Sequence, residues 1–307
     1  MAGRLNGSTG FGAASTDVRP RERRARPWSA DRRYRLWLVA PGLFLLFLFV
    51  WPLLRVVTTS FIHNGLDFSS YRAIATDPVY VTVLLYTARV SLVVTLLCVV
   101  LAYPVAWTVS NLRGHWLHLS LGLILVPFWT STVIRTYAWL IIFQRRGALN
   151  SALLSLGILD HPIRLIDNGV GMQIAMVHIM LPFMILPILS AMSGFDRTLL
   201  RAAAVMGANP LRQFWHVHLP LTTPGVSAGC ALVFIMSLGF FITPALLSGG
   251  QHMMAAVLIQ QQASRLLNWP MASAIGTVLL VATCLLYIGY DSVSRRVSGG
   301  NVLGVGD

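Results

Sequence analysis

The chain has 307 residues, of which 56% are hydrophobic and only 11% are charged, and its mean hydropathy is +0.70. Soluble domains carry about 25% charged residues, so this composition excludes an ordinary soluble domain and predicts a polytopic membrane protein. The formal net charge of +13 could suggest nucleic-acid binding, but the arginines lie in tails and loops beside apolar segments. Orientation in a bilayer explains that placement better, and we expect no nucleic-acid partner.

The N-terminal segment, residues 1–35, is rich in Gly and Ser and contains nine arginines. Because it offers almost nothing to bury, we expect a disordered basic tail. It lacks the small-residue cleavage site of a secretory signal, and the apolar run that follows is longer than a signal core. We therefore expect the tail to be retained.

Six apolar and almost uncharged runs follow, and each approaches the roughly 20 residues that a helix needs to cross a bilayer. They cover residues 36–54, 87–109, 117–134, 170–192, 222–247 and 271–290. The sequence therefore predicts an all-α bundle of six transmembrane helices in a membrane domain of residues 36–291. A C-terminal tail of residues 292–307 follows, and an even number of spans places both termini on the same side.

The arginines indicate which side that is. Fifteen of them lie in the tails and in the connections on one side, against five in the connections on the other. The positive-inside rule places the richer side in the cytoplasm. Both termini and the polar segment between the fourth and fifth runs are therefore predicted to be cytoplasmic.

That polar segment, residues 196–220, is predicted to be mostly helical. Leu199, Ala203 and Met206 recur at i, i+4 and i+7 and predict one apolar stripe on a short helix. Gly207 permits a sharp turn, and Pro210 suits the first turn of a second short helix. The expected shape is an L-shaped pair of helices at the membrane surface.

Two further stretches are too polar to span the bilayer. Residues 137–168 contain several turn signals, and we expect short helices packed over the bundle at the outer surface. Residues 249–270 include an apolar run at 254–259 that is too short to cross the bilayer. That run is predicted to be either interfacial or partly re-entrant.

Aromatic residues and an arginine cluster at the outer end of the third run, at Trp129, Arg135, Tyr137 and Trp139. The aromatic side chains could line a transport path, or they could form the belt found at bilayer interfaces. Arg135 could reach a water-filled vestibule or extend to the lipid headgroups. The sequence leaves these alternatives open.

Ionisable residues within the spans are few. His178, in the fourth run, could be a proton relay, although a neutral imidazole hydrogen-bonded between helices is the simpler interpretation. Cys98, Cys230 and Cys284 all lie in apolar runs and are expected to be small buried hydrophobes. We predict no disulfide, no metal site and no catalytic residue.

The 196–220 segment also carries a family resemblance. Ala202, Ala203, Gly207, Leu219 and Pro220 resemble the EAA loop of permease subunits of ATP-binding cassette importers, although Arg201 stands where that family has Glu. In such importers this loop docks on the ATPase subunit, and we call residues 196–220 the coupling segment. The resemblance implies ATPase-coupling roles for Arg197, Arg201, Ala202, Ala203, Gly207, Ala208, Phe214, Leu219 and Pro220.

Longer stretches are similar to one branch of these permeases. PFWTSTVIRTYAW, GALNSAL, LPFMILP, SLGFFITPALLSGG and NWP resemble the B-type subunit of spermidine/putrescine importers. The resemblance implies a type I importer in the bacterial inner membrane, with a second permease subunit, an ATPase dimer and an extracytoplasmic solute-binding protein. The chain has no GxxxxGK[ST] phosphate loop, so ATP and Mg²⁺ would belong to the ATPase, and this chain would be neither an enzyme nor a cofactor-binding protein.

A polyamine solute raises a question of charge. A polycation needs carboxylates or aromatic faces, yet all ten acidic residues lie in loops, in tails or at the end of the last span. Either the partner permease supplies the acids, or the cation passes over aromatic rings and backbone carbonyls. The candidate path residues are Trp129, Arg135, Tyr137, Trp139, Phe240 and Phe241.

Other functions remain open at this stage. The same machinery could import an anionic or amino-acid-like solute, which Arg89 and Arg135 would suit. An ion-coupled carrier acting alone would need buried acids or a proton relay, for which only His178 qualifies. An intramembrane enzyme would need a nucleophile and base or a metal cluster within the spans, and the sequence contains neither pattern.

Overall fold

The computed structural model describes residues 32–61, 67–196 and 198–299. Within these residues all regular structure is helical, so the predicted all-α class is confirmed. The helices are α1 (Arg32–Phe61), α2 (Ser69–Thr76), α3 (Pro78–Asn111), α4 (His115–Trp129), α5 (Thr132–Ile142), α6 (Ala148–Ser155), α7 (Gly169–Gly194), α8 (Thr198–Val205), α9 (Pro210–Gln213), α10 (Leu219–Leu238), α11 (Ile242–Leu247), α12 (Ala255–Ser264) and α13 (Trp269–Gly299).

The chain divides into two units, residues 1–51 and 52–307. In the first unit the described residues form the start of α1, which begins at Arg32, one turn before the predicted end of the tail. The rest of the predicted tail, residues 1–31, lies outside the described residues. Every side chain from Leu43 to Phe49 is more than half exposed, as expected of a helix that contacts lipid.

Five helical stretches are long and apolar enough to cross a membrane. They are Pro41–Phe61, Pro78–Asn111, Gly169–Gly194, Pro210–Leu238 and Trp269–Tyr290. They correspond to the first, second, fourth, fifth and sixth predicted runs. A sixth span is present only if α4 and α5 are counted together.

The helix of the third run is interrupted, so the predicted continuous helix over 117–134 is wrong. Helix α4 ends at Trp129, α5 begins at Thr132, and the axes of the two helices differ by 96°. Both linking residues are extended, and the Thr130 hydroxyl donates to the carbonyl of Pro127 at 3.1 Å. Hydroxyl side chains compete for backbone groups in this way, which ends the helix although the run stays apolar.

The fifth run was predicted at 222–247, and both of its ends differ in the structure. The helix starts at Pro210 and ends at Leu238, and α11 is a separate short helix. Pro244 explains the C-terminal break, because its ring excludes the carbonyl of residue 240 from a continuous helix. Gly239 ends the preceding helix there.

The two polar stretches both contain short helices, and their depth in the membrane stays a prediction. Residues 137–168 contain the short helix α6, and its fully buried Asn150 binds both the N–H and the carbonyl of Ile163, each at 3.0 Å. In the second stretch, α12 packs against α13 and α3, with Met254 and Ala255 fully buried. The run at 254–259 therefore lies inside the helical bundle, against α13 and α3.

The core forms where α7 packs between α3 and α10. Helix α3 presents a buried stripe at four-residue spacing, and the side chains of this stripe are small: Val90, Val94, Cys98, Ala102 and Ala106. On α10, a Cβ at Gly225 would lie 2.5 Å from Ala191 Cβ, and one at Gly229 would lie 2.7 Å from Met184 Sδ. Small residues at these positions let the helices approach closely, which is how helices associate within lipid.

This close approach predicts the effect of one added methyl group. Gly225→Ala should lower the free energy of unfolding by about 1–3 kcal/mol, because the new Cβ meets Ala191 and a backbone carbonyl in a packed interface. Thermal unfolding of the detergent-solubilised protein measures the change. Gly276→Ala is the control, since nothing lies within 4 Å of a Cβ there. Equal melting temperatures for both variants would contradict the packing described here.

Candidate functional site

The coupling segment turns at Gly207. The N–H of Gly207 bonds the carbonyl of Ala204 and the N–H of Ala208 bonds that of Ala203, both at 3.0 Å, which is a Schellman cap at the end of α8. Gly207 has φ +82°, a left-handed conformation that a residue with a Cβ adopts only with strain. The sharp turn predicted at this glycine is therefore present.

The start of α8 is capped by Asp196. Its carboxylate accepts hydrogen bonds from the hydroxyl of Thr198 at 2.6 Å and from the N–H of Thr198 at 2.9 Å. The Thr198 hydroxyl and then the Thr198 N–H hold the pKa of Asp196 below its usual range. The carboxylate is therefore ionised at neutral pH, where it suits a helix N-terminus. Arg197, one of the predicted coupling residues, lies outside the described residues.

The second arm of the segment is longer than predicted. Pro210 occupies the first turn of α9, and the side chain of Asn209 caps that turn by accepting from the N–H of Arg212 at 2.8 Å. The helix then continues through a π-helical turn, Phe214–His218, directly into α10. The second arm is thus the end of a membrane span rather than a separate short helix.

Pro220 accounts for the π-helical turn. It has no backbone N–H, and its ring would collide with the carbonyl four residues earlier in a regular α-helix. The chain widens just before it, and the N–H of Leu219 bonds the carbonyl of Phe214, five residues back. The helix therefore continues past Pro220 with a local bulge instead of a break.

An aromatic cluster, consisting of Tyr103, Trp107, Phe195, Phe214 and His218, joins the coupling segment to α3 and to the end of α7. Trp107 stacks on Phe214 with ring centroids 5.3 Å apart, and His218 lies 5.1 Å from Trp107 and 5.3 Å from Phe195. The Tyr103 hydroxyl lies 3.0 Å from that of Thr222. Of these five residues the family resemblance implies a role for Phe214 alone, and Tyr103 and Trp107 precede it by more than 100 residues in the sequence.

The outer surface of the coupling segment differs from the predicted apolar stripe. Of its three members only Ala203 is buried, while Leu199 is exposed and Met206 is 81% exposed. The stripe is too short to bury, because Gly207 ends the helix immediately after Met206. Val205, beside it, is 89% exposed, so an apolar tip protrudes at the turn.

Some of the remaining predicted coupling residues are exposed on the coupling segment, and others are half-buried. Arg201, Ala202, Gly207 and Pro220 are exposed, and Ala208, Phe214 and Leu219 are half-buried. Arg201 also lines a cavity of about 360 Å³ between the segment and the ends of α3 and α7. The cavity wall includes Trp107, Gln213 and Phe214.

A pair of buried hydroxyl groups joins α5 to α11. Each of these short helices follows an interruption in a longer helical stretch. Thr136 Oγ1 on α5 lies 3.0 Å from Thr243 Oγ1 on α11, and both residues are fully buried. Thr136 also donates to the carbonyl of Thr132 at 2.9 Å. The two short helices are thereby held together as one pair.

His178 contacts Trp139 on α5 through one edge of its ring and is not buried between helices. Trp139 Nε1 donates to His178 Nδ1 at 3.2 Å, and the indole ring contacts the imidazole edge-on. The His178 residue is otherwise exposed. The interhelical hydrogen bond to a neutral imidazole is therefore present, but on the open side of α7.

Arg135 lies near this pair and lines a cavity of about 310 Å³ with Pro127, Thr130, Ile179 and other residues of α4, α5 and α7. Its Nη2 donates to Thr132 Oγ1 at 3.2 Å, and its Nε has no hydrogen-bond partner among the described residues. A charged arginine held inside a membrane costs about 2.5–3.5 kcal/mol or more unless it is paired or hydrated.

The other predicted path residues differ in exposure, and their role in a path stays a prediction. Trp129 is 89% exposed at the end of α4, and Tyr137 is exposed on α5. Phe240 packs against the core, whereas Phe241 is partly exposed. Trp139 contacts His178, which is not among the predicted path residues.

No family model matches the chain. The spermidine/putrescine transport system permease protein PotB of Escherichia coli (strain K12) is 36% identical over 265 residues, which cover 84% of this chain and 96% of PotB. The chain belongs to the PotB family of importer permeases. It is therefore a multi-pass membrane transport subunit, which confirms the family resemblance of its sequence.

A second relative by sequence is an ABC transporter permease, and a solved transporter subunit shares the fold of the permease. The inner membrane ABC transporter permease protein YdcU of Escherichia coli (strain K12) is 30% identical over 226 residues, covering 70% of the permease and 72% of YdcU. A subunit of the bacterial alginate ABC transporter, solved in complex with alginate pentasaccharide-bound periplasmic protein, superposes with a TM-score of 0.68 at 16% identity. The superposition covers 89% of the permease and 98% of that subunit.

The buried hydroxyl pair generates a prediction for the permease. Thr136→Val should cost about 1–3 kcal/mol of stability, because it leaves the buried Thr243 hydroxyl without a partner. Thr243→Val should cost less, since Thr136 keeps its bond to the Thr132 carbonyl. The double variant should cost less than the sum of the two single changes.

Thermal unfolding of the four proteins measures this cycle. Thr108→Val is the matched control, because its hydroxyl bonds the carbonyl of Pro104 on an exposed helix face. Additive effects of the two substitutions would show that the hydroxyls do not interact.

Proposed function

We propose that the chain is the membrane-spanning subunit of an ATP-binding cassette importer that takes up a polyamine of the spermidine/putrescine class. It forms half of the translocation path and couples the motion of a separate ATPase to uptake. The observation that carries this proposal is the 36% identity to PotB across 96% of PotB. The left-handed turn at Gly207 supports it, because it reproduces the shape expected of the loop that meets the ATPase.

The continuous helix Pro210–Leu238 gives this coupling a physical route. Its 29 residues span about 44 Å at 1.5 Å per residue. A displacement of α8 at the ATPase surface is passed through the Schellman turn at Gly207 to the end of this helix. The stacking of Phe214 on Trp107 transmits the same displacement to α3. The coupling segment therefore moves two core helices together.

The surface of the coupling segment fits a docking role. The exposed apolar tip at Val205 and Met206 offers side chains that a groove on the ATPase can bury. Arg201 replaces the family glutamate, so the charge that this permease presents to its ATPase is positive. We expect an acidic or neutral ATPase surface at the position that faces Arg201.

The proposed assembly contains an ATPase dimer, a second permease subunit and an extracytoplasmic solute-binding protein. ATP and Mg²⁺ bind to the ATPase, and this chain binds no cofactor. The excess of arginine in the tails and in the coupling segment supports cytoplasmic termini, and the proposed compartment is the bacterial inner membrane. YdcU, a relative by sequence, is named as an inner membrane permease.

A second solute class is favoured by one observation. Arg135 faces a cavity as a cation, which would suit an anionic or amino-acid-like solute. Against this, the identity to PotB extends over nearly the whole of that protein. Polyamine uptake is the stronger proposal, and uptake of an anionic or amino-acid-like solute is the alternative outcome of the first experiment.

Reconstitution of the complete importer in proteoliposomes tests the solute. Radiolabelled spermidine should accumulate only when both ATP and the loaded binding protein are present, and excess putrescine should compete with it. An amino acid and a small dicarboxylate are the control solutes. Uptake of a control solute without uptake of spermidine would contradict the polyamine proposal and favour an anionic or amino-acid-like solute.

The coupling role is tested at Gly207. Gly207→Asp should lower ATP-driven uptake about tenfold, because a residue with a Cβ costs roughly 1–2 kcal/mol at φ +82° and the turn would relax. The ATPase activity of the complex should persist, so hydrolysis and uptake become uncoupled.

Gly157→Asp is the matched control for this variant. Gly157 has φ +67°, and like Gly207 it has nothing within 4 Å of an added Cβ, but it lies far along the chain from the coupling segment. Both variants carry the same charge and similar backbone strain. Wild-type uptake by Gly207→Asp, or equal losses in the two variants, would contradict the coupling role.

A further inference from the structure

Arg135 has no counter-charge within the part of this chain that the structure describes. Its one hydrogen bond there, at 3.2 Å, is to the neutral hydroxyl of Thr132, one turn earlier on the same helix. Its buried Nε makes no hydrogen bond with any described residue. The sequence contains no Asp or Glu in residues 78–159, 168–195 or 197–290. A counter-charge at the level of Arg135 must therefore come from outside the membrane helices of this chain.

The groups beside Arg135 are neutral. Its cavity is walled by Pro127, Thr130, Phe183 and other uncharged side chains. On the neighbouring helix α7, His178 accepts a hydrogen bond on Nδ1 from Trp139, and a nitrogen that accepts carries no proton. This contact keeps the imidazole neutral, so His178 adds no second positive charge and cannot neutralise the guanidinium.

The face that carries these groups is open. Most of the outer half of α7 is buried against α3 and α10, but Val170, Ile174 and His178 form an exposed stripe at four-residue spacing. His178 is the polar member of that stripe, and Trp139 links it to the helix that bears Arg135. In an importer with two permease subunits, such a polar face on a central helix is suited to the partner and to the path between them.

We propose that Arg135 is the resident cation of the translocation path. Before solute arrives, its guanidinium pairs with a carboxylate of the second permease subunit, and an ammonium group of the passing polyamine takes over that carboxylate. This inference rests on the proposed polyamine function. It goes beyond it by assigning to one residue of this chain a role in keeping the empty path closed.

The chemistry of the two cations supports the exchange. A guanidinium presents a planar fork that matches a carboxylate, and arginines within membranes almost always pair or face a water-filled cavity. A polycation also requires carboxylates, and the spans of this chain supply none. One carboxylate on the partner could both pair with Arg135 and bind the polycation, because the guanidinium and the ammonium group compete for the same oxygen atoms.

Release of Arg135 has a structural consequence. The residue lies in the first turn of α5, next to the extended link at Thr130 and Ser131 where the span is bent by 96°. The Thr136 hydroxyl joins α5 to α11. When the solute frees Arg135, the α5 and α11 pair loses its tie to the second subunit and can move about the link. The ion pair therefore couples the presence of solute to the position of these helices.

The test uses the complete importer in proteoliposomes and compares Arg135→Gln with Arg135→Lys. Arg135→Gln should raise the ATPase rate in the absence of solute by about fivefold, the lower end of usual coupling effects, and should reduce stimulation by spermidine-loaded binding protein. Arg135→Lys keeps the charge but loses the planar fork, so its basal rate should lie between those of Arg135→Gln and the wild type. Arg146→Gln is the matched control, because Arg146 is exposed just beyond α5.

A double-mutant cycle identifies the carboxylate. Each Asp or Glu in the spans of the second subunit is changed to its amide, alone and together with Arg135→Gln. One of these variants should reproduce the effect of Arg135→Gln and add nothing to it in combination. Rates are normalised to assembled complex, so Arg135→Lys and the single amide variants carry the test if Arg135→Gln assembles poorly.

Two results would overturn the inference. One is a basal rate and stimulation in Arg135→Gln equal to the wild type, as expected if Arg135 only reaches lipid headgroups. The other is strict additivity with every carboxylate of the second subunit. Failure of the proposed function looks different, because the wild-type importer itself would then take up no polyamine.

Discussion

The close packing of α7 against α10 and α3 is the constraint on which the rest of this permease depends. Lipid provides no hydrophobic driving force between helices, so their association relies on shape. Gly225 and Gly229 remove the side chains that would hold α10 away from α7, and a stripe of small residues from Val90 to Ala106 does the same on α3. Because α10 continues into the coupling segment, whatever moves that segment moves a helix fixed within the core.

The breaks in the helices, by contrast with the tightly packed core, leave short helices that can move. Backbone groups freed within a membrane must find partners inside the protein. At the two links the Thr130 hydroxyl donates to the carbonyl of Pro127, and the N–H of Phe240 donates to the carbonyl of Ser237. The hydroxyls of Thr136 and Thr243 tie together the short helices that follow these breaks. Helices α5 and α11 are held by few contacts compared with α7, which makes them the elements most able to shift while the core stays intact.

The replacement of the family glutamate by Arg201 separates the shape of the coupling segment from its charge. The turn depends on the left-handed backbone of Gly207 and on the two hydrogen bonds of its cap, none of which involves residue 201. The aromatic cluster behind the segment likewise excludes Arg201, since it consists of Tyr103, Trp107, Phe195, Phe214 and His218. Geometry is thus preserved while the charge facing the proposed ATPase is reversed.

The sequence by itself determined the all-α class, the approximate positions of five membrane helices, the turn at Gly207 and the importer family, because hydropathy, glycine conformation and motif spacing are local properties. Tertiary structure decided what local patterns leave open. A continuous apolar run did not reveal the 96° break after Trp129 or the end of the helix at Leu238, since hydropathy records how apolar each residue is and not where the backbone bends. Likewise, Trp107 meets Phe214 and Trp139 meets His178 only through packing of helices distant in sequence, so no spacing rule could have paired them.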